Sequence, residues 1–211
     1  LFVFDEPIIP SRGGVQRVTD LLACELTFRG HSVFYLSYRF PELMASYKFS
    51  CTQLFVDIFR QSDDKNKADI SRIISEYKID CVINQLIKDD FIKYLPVGVK
   101  IISVCHVQPF CYDNITRERI WKTNAQNSRQ LLFKISSLLL PKLQEWFHNH
   151  GVADEYKKVI DKSERVCFIS DKFFERVFRH IPDINKDKLC AINNPNTFFV
   201  DKANNTKENI M

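Results

Sequence analysis

The run GGVQRVTDLLACELTFRGH, residues 13–31, lies between two short apolar runs, Leu1–Phe4 and Val33–Leu36. Val15, Val18, Leu22 and Leu26 fall at helical spacing, with Leu21 widening the stripe, and Gln16, Arg17, Asp20 and Arg29 lie off it. Gly30 ends the pattern as a helix C-terminal glycine does. The order is therefore strand, glycine turn, helix, strand. Gly13 and Gly14 carry no side chain, so the backbone there is expected to turn sharply and to present bare N–H groups at the positive end of the helix dipole, where a phosphate sits well. A glycine pair before a helix also serves a plain tight turn, and SRGGVQRV does not satisfy the dinucleotide fingerprint G-x-G-x-x-G.

Working outward, apolar, β-branched runs recur at Asp80–Asn84, Lys100–Cys105, Arg165–Ile169 and Leu189–Ile192, with a further strand expected around Cys51–Val56. They alternate with helical patterns. Continuous apolar runs joined by helices belong to buried parallel strands, so the chain reads as an α/β three-layer domain with a mainly parallel six- or seven-stranded sheet and helices on both faces. Residues 115–150 form a mostly helical insertion of more than one helix, with Leu131, Leu132, Ile135, Leu138, Leu139 and Leu143 in its pattern. Pro141 is expected to kink or restart it, and Gly151 to separate it from a short helix ending near Lys162. Residues 201–211 are polar and lack an apolar period, which reads as a linker.

Composition narrows the class. With 211 residues and 45 % apolar content the chain can bury a full core, and its five glycines argue against a loop-dominated or repeat architecture. Seven cysteines are an odd number, and Cys24, Cys81, Cys105, Cys167 and Cys190 sit inside helix or strand patterns without C-x-x-C spacing, so they read as reduced core residues. The longest apolar stretch, Leu131–Leu140, is broken by Lys134, Ser136 and Ser137 and cannot span a bilayer. No signal peptide is recognisable, which predicts a cytoplasmic protein, peripheral at most to the inner membrane face. The chain begins at Leu1 without a methionine, and its first strand is only four apolar residues long before Asp5, so a few native residues are expected ahead of it.

The run Gly13-Gly14-Val15-Gln16-Arg17-Val18, continuing through Leu21, Leu22, Ala23 and Leu26 to Arg29-Gly30-His31-Ser32-Val33, resembles the opening of family-four retaining glycosyltransferases, which are two-domain GT-B enzymes. The resemblance covers roughly residues 1–200. It implies a Rossmann-like amino-terminal, acceptor-side domain, with residues 201–211 leading toward a separate carboxyl-terminal donor domain. Asn194-Pro195 resembles the step at which the family leaves its first domain, and Asn193 and Asn194 read as hinge residues. In the family the glycine loop faces the interdomain cleft near the donor diphosphate. The implied ligands are a nucleotide-sugar donor, as substrate and not cofactor, and a glycan or lipid-linked acceptor.

Candidate site residues follow from strand ends, where ligands of open α/β folds collect. His106 follows the strand Lys100–Cys105, and family members often carry a His at this strand end, contacting groups in the cleft. Retaining transfer in this fold has no established protein base, so His106 is assigned to positioning and hydrogen bonding within the catalytic site. Gly13 and Gly14 would give backbone N–H groups, while Arg12 and Arg17 would add charge near a diphosphate or acceptor phosphate; Arg17 reads equally well as a solvated helix residue. Gln85 and Ser170 follow strands and would line the same crevice, with Ser170-Asp171 better suited to capping a helix Lys172–His180.

Residues 115–148 carry six basic against two acidic residues, with Trp121, Phe133, Trp146 and Phe147 interleaved. This segment is either a solvated basic face over core aromatics or a contact for an anionic membrane surface. No metal is expected: His148-Asn149-His150 is an i, i+2 pair pointing apart on a helix, and neither H-E-x-x-H nor a Cys cluster occurs. A net charge of +4 without a groove-reading element argues against nucleic acid. Two other readings stay open, a noncatalytic Rossmann-like module for a phosphorylated ligand and an inverting GT-B transferase or epimerase.

Overall fold

The computed structural model describes residues 1–38, 48–56, 63–88, 91–110, 128, 131–132, 135 and 141–193. Seven strands, β1 (Phe2–Val3), β2 (Phe34–Tyr38), β3 (Thr52–Val56), β4 (Cys81–Asn84), β5 (Lys100–Cys105), β6 (Arg165–Phe168) and β7 (Leu189–Ala191), make one sheet in the order β3-β2-β1-β4-β5-β6-β7. Every neighbouring pair is parallel. Each predicted strand is present, shifted by a residue or two at most, and the expected sheet is therefore wholly parallel.

Among the described residues, the helices that cover it are α1 (Gly14–Phe28), α2 (Asp63–Glu76), α3 (Pro141–Lys162) and α4 (Phe173–His180). Alternation along the strands decides which helix meets which face. Phe2 and Tyr35, register partners on β1 and β2, pack with Ala23 of α1, whereas their neighbours Val3 and Leu36 pack with Ile70, Ile73 and Ile74 of α2. The two helices thus lie on opposite faces. Val166 and Phe168 of β6 pack with Tyr156 and Ile160 of α3, with Val177 of α4 and with Ile181 directly after it. Three layers result, the Rossmann-like architecture expected.

The apolar stripe read for α1 is turned in the structure. The helix buries Gln16, Val18, Thr19 and Ala23, while Leu21 and Leu22 are 39 % and 40 % exposed. A buried phenol needs a hydrogen-bond partner. Tyr35 donates to Asp20 Oδ1 at 2.8 Å, and small Thr19 and Ala23 let the helix approach the sheet with Asp20 turned toward β2. Thr19 returns its hydroxyl to Val15 O at 2.8 Å, so its burial leaves no donor unmet. Cys24 consequently lies on the exposed side of α1, not in the core; Cys105 and Cys167 are buried, and Cys81 and Cys190 half-buried.

The break expected at Gly151 is also absent. α3 runs unbroken from Pro141, at its first position, through Gly151 to Lys162. A mid-helix glycine costs about 1 kcal/mol, less than the burial of Tyr156, Val159 and Ile160 on the following turns returns. Leu131, Leu132 and Ile135 are helical and exposed at 50 %, 68 % and 44 %. The remaining side chains of the basic segment 115–148, the step Asn194-Pro195 and the stretch 201–211 lie outside the described residues. Among the described residues no helix is long and apolar enough to cross a membrane.

A line of polar groups crosses the interior beneath the carboxyl edge. Ser163 Oγ donates to Val159 O at 2.7 Å, so it accepts from Ser103 Oγ at 2.8 Å, which in turn accepts from Asn84 Nδ2 at 3.3 Å. Asn84 Oδ1 takes the Leu86 N–H at 3.3 Å and its amide reaches Lys88 O at 3.3 Å. The chain after β4 is thereby stapled to β5 and to the end of α3.

Candidate functional site

Chain order reverses between β1 and β4: from β1 the chain runs outward to β2 and β3, and β4 then starts the opposite half of the sheet. In open α/β sheets the loops at the carboxyl ends diverge at such a point and leave a crevice. The loop after β1 leads to the glycine turn, and those after β4, β5 and β6 carry Gln85, His106 and Ser170.

The glycine turn differs in detail from expectation. A 3-10 turn, Pro10–Arg12, leads to Gly13, which is the N-cap of α1 with φ −178° and ψ 171°. That is extended backbone open to any residue, so left-handed freedom is not why glycine stands there. A Cβ on Gly13 would lie 2.6 Å from Oε1 of Gln16, a side chain folded back over the helix start at 8 % exposure, so a larger residue there requires that side chain to shift. A Cβ on Gly14 would meet nothing within 4 Å, so the space above the helix start is open. The first backbone N–H groups of α1 have no carbonyl one turn earlier in the helix to bond.

Both arginines have partners within the chain. Arg12 is exposed and pairs with Glu6 at 3.5 Å, a contact of small worth in solvent. Arg17 is half-buried in the first turns of α1 and is itself engaged.

Gln85 and His106 are brought together. The Gln85 N–H donates to Val3 O at 3.0 Å, which extends the β4–β1 ladder by one residue and fixes Gln85 beside the end of β1. Its side chain is 3 % exposed, and its Oε1 is hydrogen-bonded to His106 Nε2. Burial holds the His106 imidazole below its ordinary value of 6.5, which favours the neutral ring. With Oε1 accepting, Nε2 carries the ring proton and Nδ1 keeps its lone pair. His106 Nδ1 and Gln85 Nε2 are both buried without a partner among the described residues. The pair therefore holds one acceptor and one donor group in reserve. That combination matches a hydroxyl or amide, which gives one proton and takes one, better than it matches an anion.

The turn carrying His106 is tied down by residues that sequence reading missed. The Cys105 thiol donates to Val107 O at 3.1 Å and so accepts from Tyr156 OH at 3.3 Å. Phe110, at φ 51°, is in the left-handed region, a costly conformation for a bulky side chain. Packing holds it: its ring stacks on His180 at 4.1 Å between centroids, and its carbonyl accepts from Arg176 Nη1 at 3.4 Å. With its amide oxygen turned to the guanidinium, Gln108 accepts from Arg176 Nη2 at 2.9 Å. Helix α4 is thus the fastening for the loop after β5. Nothing local in the sequence gives this away, since Arg176 and His180 read as ordinary residues of an amphipathic helix.

Ser170 serves its own backbone. Its Oγ accepts from Lys172 N at 3.3 Å and its carbonyl from Phe173 N at 3.2 Å, with α4 starting at Phe173. It forms a turn just ahead of the helix instead of the cap on Lys172–His180 that was expected. The carboxyl edge therefore joins Gln85 to His106, whereas Gly13, Gly14 and Ser170 share that edge without a hydrogen bond to the pair among the described residues.

No family model matches the chain, and no curated protein matches it either. Among solved structures it is similar to a crystal structure of a glycosyltransferase from Rickettsia africae ESF-5, at 16 % identity, with 93 % of this chain and 68 % of that chain covered and a TM-score of 0.39. That likeness is too distant to assign an activity.

Proposed function

We propose that residues 1–200 form the acceptor-side domain of a GT-B, family-four-type retaining glycosyltransferase, which moves a sugar from a nucleotide-sugar to a glycan or lipid-linked acceptor. One observation carries the reading: an open glycine start to α1 and a buried, neutral Gln85–His106 pair stand on the same carboxyl edge of a parallel sheet, on either side of its reversal point. The two parts suit the two ends of such a donor. Backbone N–H groups at a helix start favour a diphosphate, and a one-donor, one-acceptor pair favours a sugar hydroxyl. The resemblance of residues 13–33 to that family joins them.

In this mechanism His106 and Gln85 orient the transferred sugar or the acceptor hydroxyl. The neutral ring takes no net proton, and departure of the leaving group is assisted by the helix dipole and by charge from Arg12 or Arg17, once released from its present contact. A second domain supplies most of the donor site. Exposed Leu131, Leu132 and Ile135, on a segment with a surplus of basic residues, favour a peripheral place on an anionic membrane surface, where a lipid-linked acceptor resides.

The experiment is release of nucleoside diphosphate by the natural full-length protein, offered a panel of nucleotide-sugars with glycan and lipid-linked acceptors. Turnover is expected with at least one donor, and His106→Ala should lower kcat/KM by roughly 10–100-fold, the worth of one or two uncharged hydrogen bonds in a closed site. No turnover with any donor, or a His106→Ala variant as active as the parent, would overturn the assignment.

A further inference from the structure

Two cysteines far apart in the sequence meet at the edge of the sheet. Cys167 of β6 and Cys190 of β7 are register partners on adjacent parallel strands, so their side chains leave the same face side by side. Their sulfurs are 3.1 Å apart. Cys190 Sγ donates to Val166 O at 3.7 Å, which leaves Cys167 as donor of the thiol–thiol bond. The other described cysteines make no such pair: Cys105 is committed to Val107 and Tyr156, and Cys51 Sγ lies 3.9 Å from Thr27 Oγ1.

We propose that Cys167 and Cys190 are an oxidisable dithiol whose disulfide locks the edge strand β7 onto β6. Backbone spacing allows it, because neighbouring strands lie about 4.8 Å apart, inside the span of about 4.4–6.8 Å between Cα atoms that a disulfide bridges. Closing the remaining sulfur gap takes about 1 Å, a small rotation about the Cα–Cβ bonds. The order of events follows from access. Cys190 is half-buried, whereas Cys167 is 8 % exposed and its thiol is pushed up to about 12, first by burial and then by its neighbour. Cys190 is thus the entry point.

With a small-molecule disulfide as oxidant, the Cys190 thiolate attacks one of its sulfurs, the oxidant's S–S bond breaks and one small thiolate leaves. Cys167 then gives up its proton and attacks Cys190 Sγ, and the second small thiolate leaves. Two protein thiols have become one disulfide, and one small disulfide has been reduced to two thiols. The target is a strand with modest anchorage. β7 is three residues long and has one neighbour; beyond their ladder, Ile192 N donates to Phe168 O at 2.8 Å, and Lys188 Nζ, from the turn before it, reaches Ile160 O at 2.9 Å and Asp161 O at 2.8 Å. A covalent tie there closes the segment carrying α4, and with α4 the fastening of the His106 turn.

The test treats the purified protein with oxidised glutathione in mildly alkaline buffer, blocks remaining thiols with iodoacetamide, and reads the intact mass and the cross-linked peptides. The expected product has lost two hydrogens on oxidation and leaves two cysteines unblocked, yields one peptide pair carrying Cys167 and Cys190, melts roughly 5–10 °C higher and returns to the starting state with dithiothreitol. Cys167→Ser should stop at a glutathione adduct on Cys190, and Cys190→Ser should yield no cross-link. Should the Cys167 substitution prevent folding, the unsubstituted protein decides alone. A stable adduct on its Cys190, separate alkylation of both cysteines after prolonged oxidation, or a cross-link to any other cysteine would each overturn the proposal.

Discussion

Replacing Gly14 by alanine should separate stability from binding in opposite directions. The added Cβ meets no atom within 4 Å, and the residue already has helical backbone as the first position of α1. Removing glycine at a compatible position lowers the entropy of the unfolded chain and gains about 0.4–1 kcal/mol, which for a domain of this size raises the melting temperature by roughly 1–4 °C. The same methyl occupies the open space above the helix start, where a diphosphate oxygen would take the first N–H groups. Losing one hydrogen bond to a charged group costs about 1.5–3 kcal/mol, so the dissociation constant of a nucleoside diphosphate should rise roughly 10–150-fold. Differential scanning fluorimetry reads the first effect and isothermal titration calorimetry the second. Gly13→Ala is the control: its Cβ would lie 2.6 Å from Gln16 Oε1, so it must displace a buried side chain and should bring no gain in stability. A Gly14→Ala protein that binds the diphosphate as tightly as the parent would show that phosphate does not sit at this helix start, and one that melts lower would refute the geometry of the turn.

Other predictions concern the interior and its titrating groups. Ser103→Ala removes the acceptor of Asn84 Nδ2 and the donor to Ser163 in a buried line, and should cost about 1–3 kcal/mol in urea denaturation; a change under about 0.5 kcal/mol would mean the line contributes nothing. For His106 the folded value lies below the ordinary 6.5, so on acidification the unfolded chain takes up the proton first. The stability this group contributes is then present above about pH 6.5 and is lost as pH falls through its folded value; His106→Gln should flatten that part of the stability curve, and an unchanged slope would contradict the burial described. Iodoacetamide should reach exposed Cys24 well before Cys167, whose thiol is pushed up to about 12, and faster labelling of Cys167 at neutral pH would contradict its enclosure.

Most of the sheet was legible because buried parallel strands announce themselves as unbroken apolar runs: Lys100–Cys105 has the same bounds in sequence and structure. The facing of α1 was not legible, since hydrophobic periodicity weighs Leu21 and Leu22 above Thr19 and Ala23, and only the tertiary demand of the buried Tyr35 phenol turns Asp20 inward. Gly151 misled for a related reason: its local helix penalty is real but small beside the burial that follows it. Of the site, strand ends correctly located Gln85 and His106 on one edge, because topology alone sends a residue after a parallel strand there. Their mutual hydrogen bond, the fastening of the His106 turn by Phe110 and Arg176, and the meeting of Cys167 with Cys190 depend on pairings between distant segments, which no local pattern encodes.

The central claim is that a nucleotide-sugar lies across the β1–β4 crevice. The most direct measurement is an amide and side-chain nitrogen NMR titration of the labelled protein with a panel of nucleoside diphosphate sugars, with inorganic pyrophosphate alongside. The account predicts that a recognised sugar nucleotide shifts the Gly13 and Gly14 amides together with the Gln85 side-chain amide and the His106 ring, while pyrophosphate shifts the glycine amides alone. Shifts confined to another part of the sheet, or a Gln85–His106 pair that responds to pyrophosphate as it does to the sugar nucleotide, would contradict it.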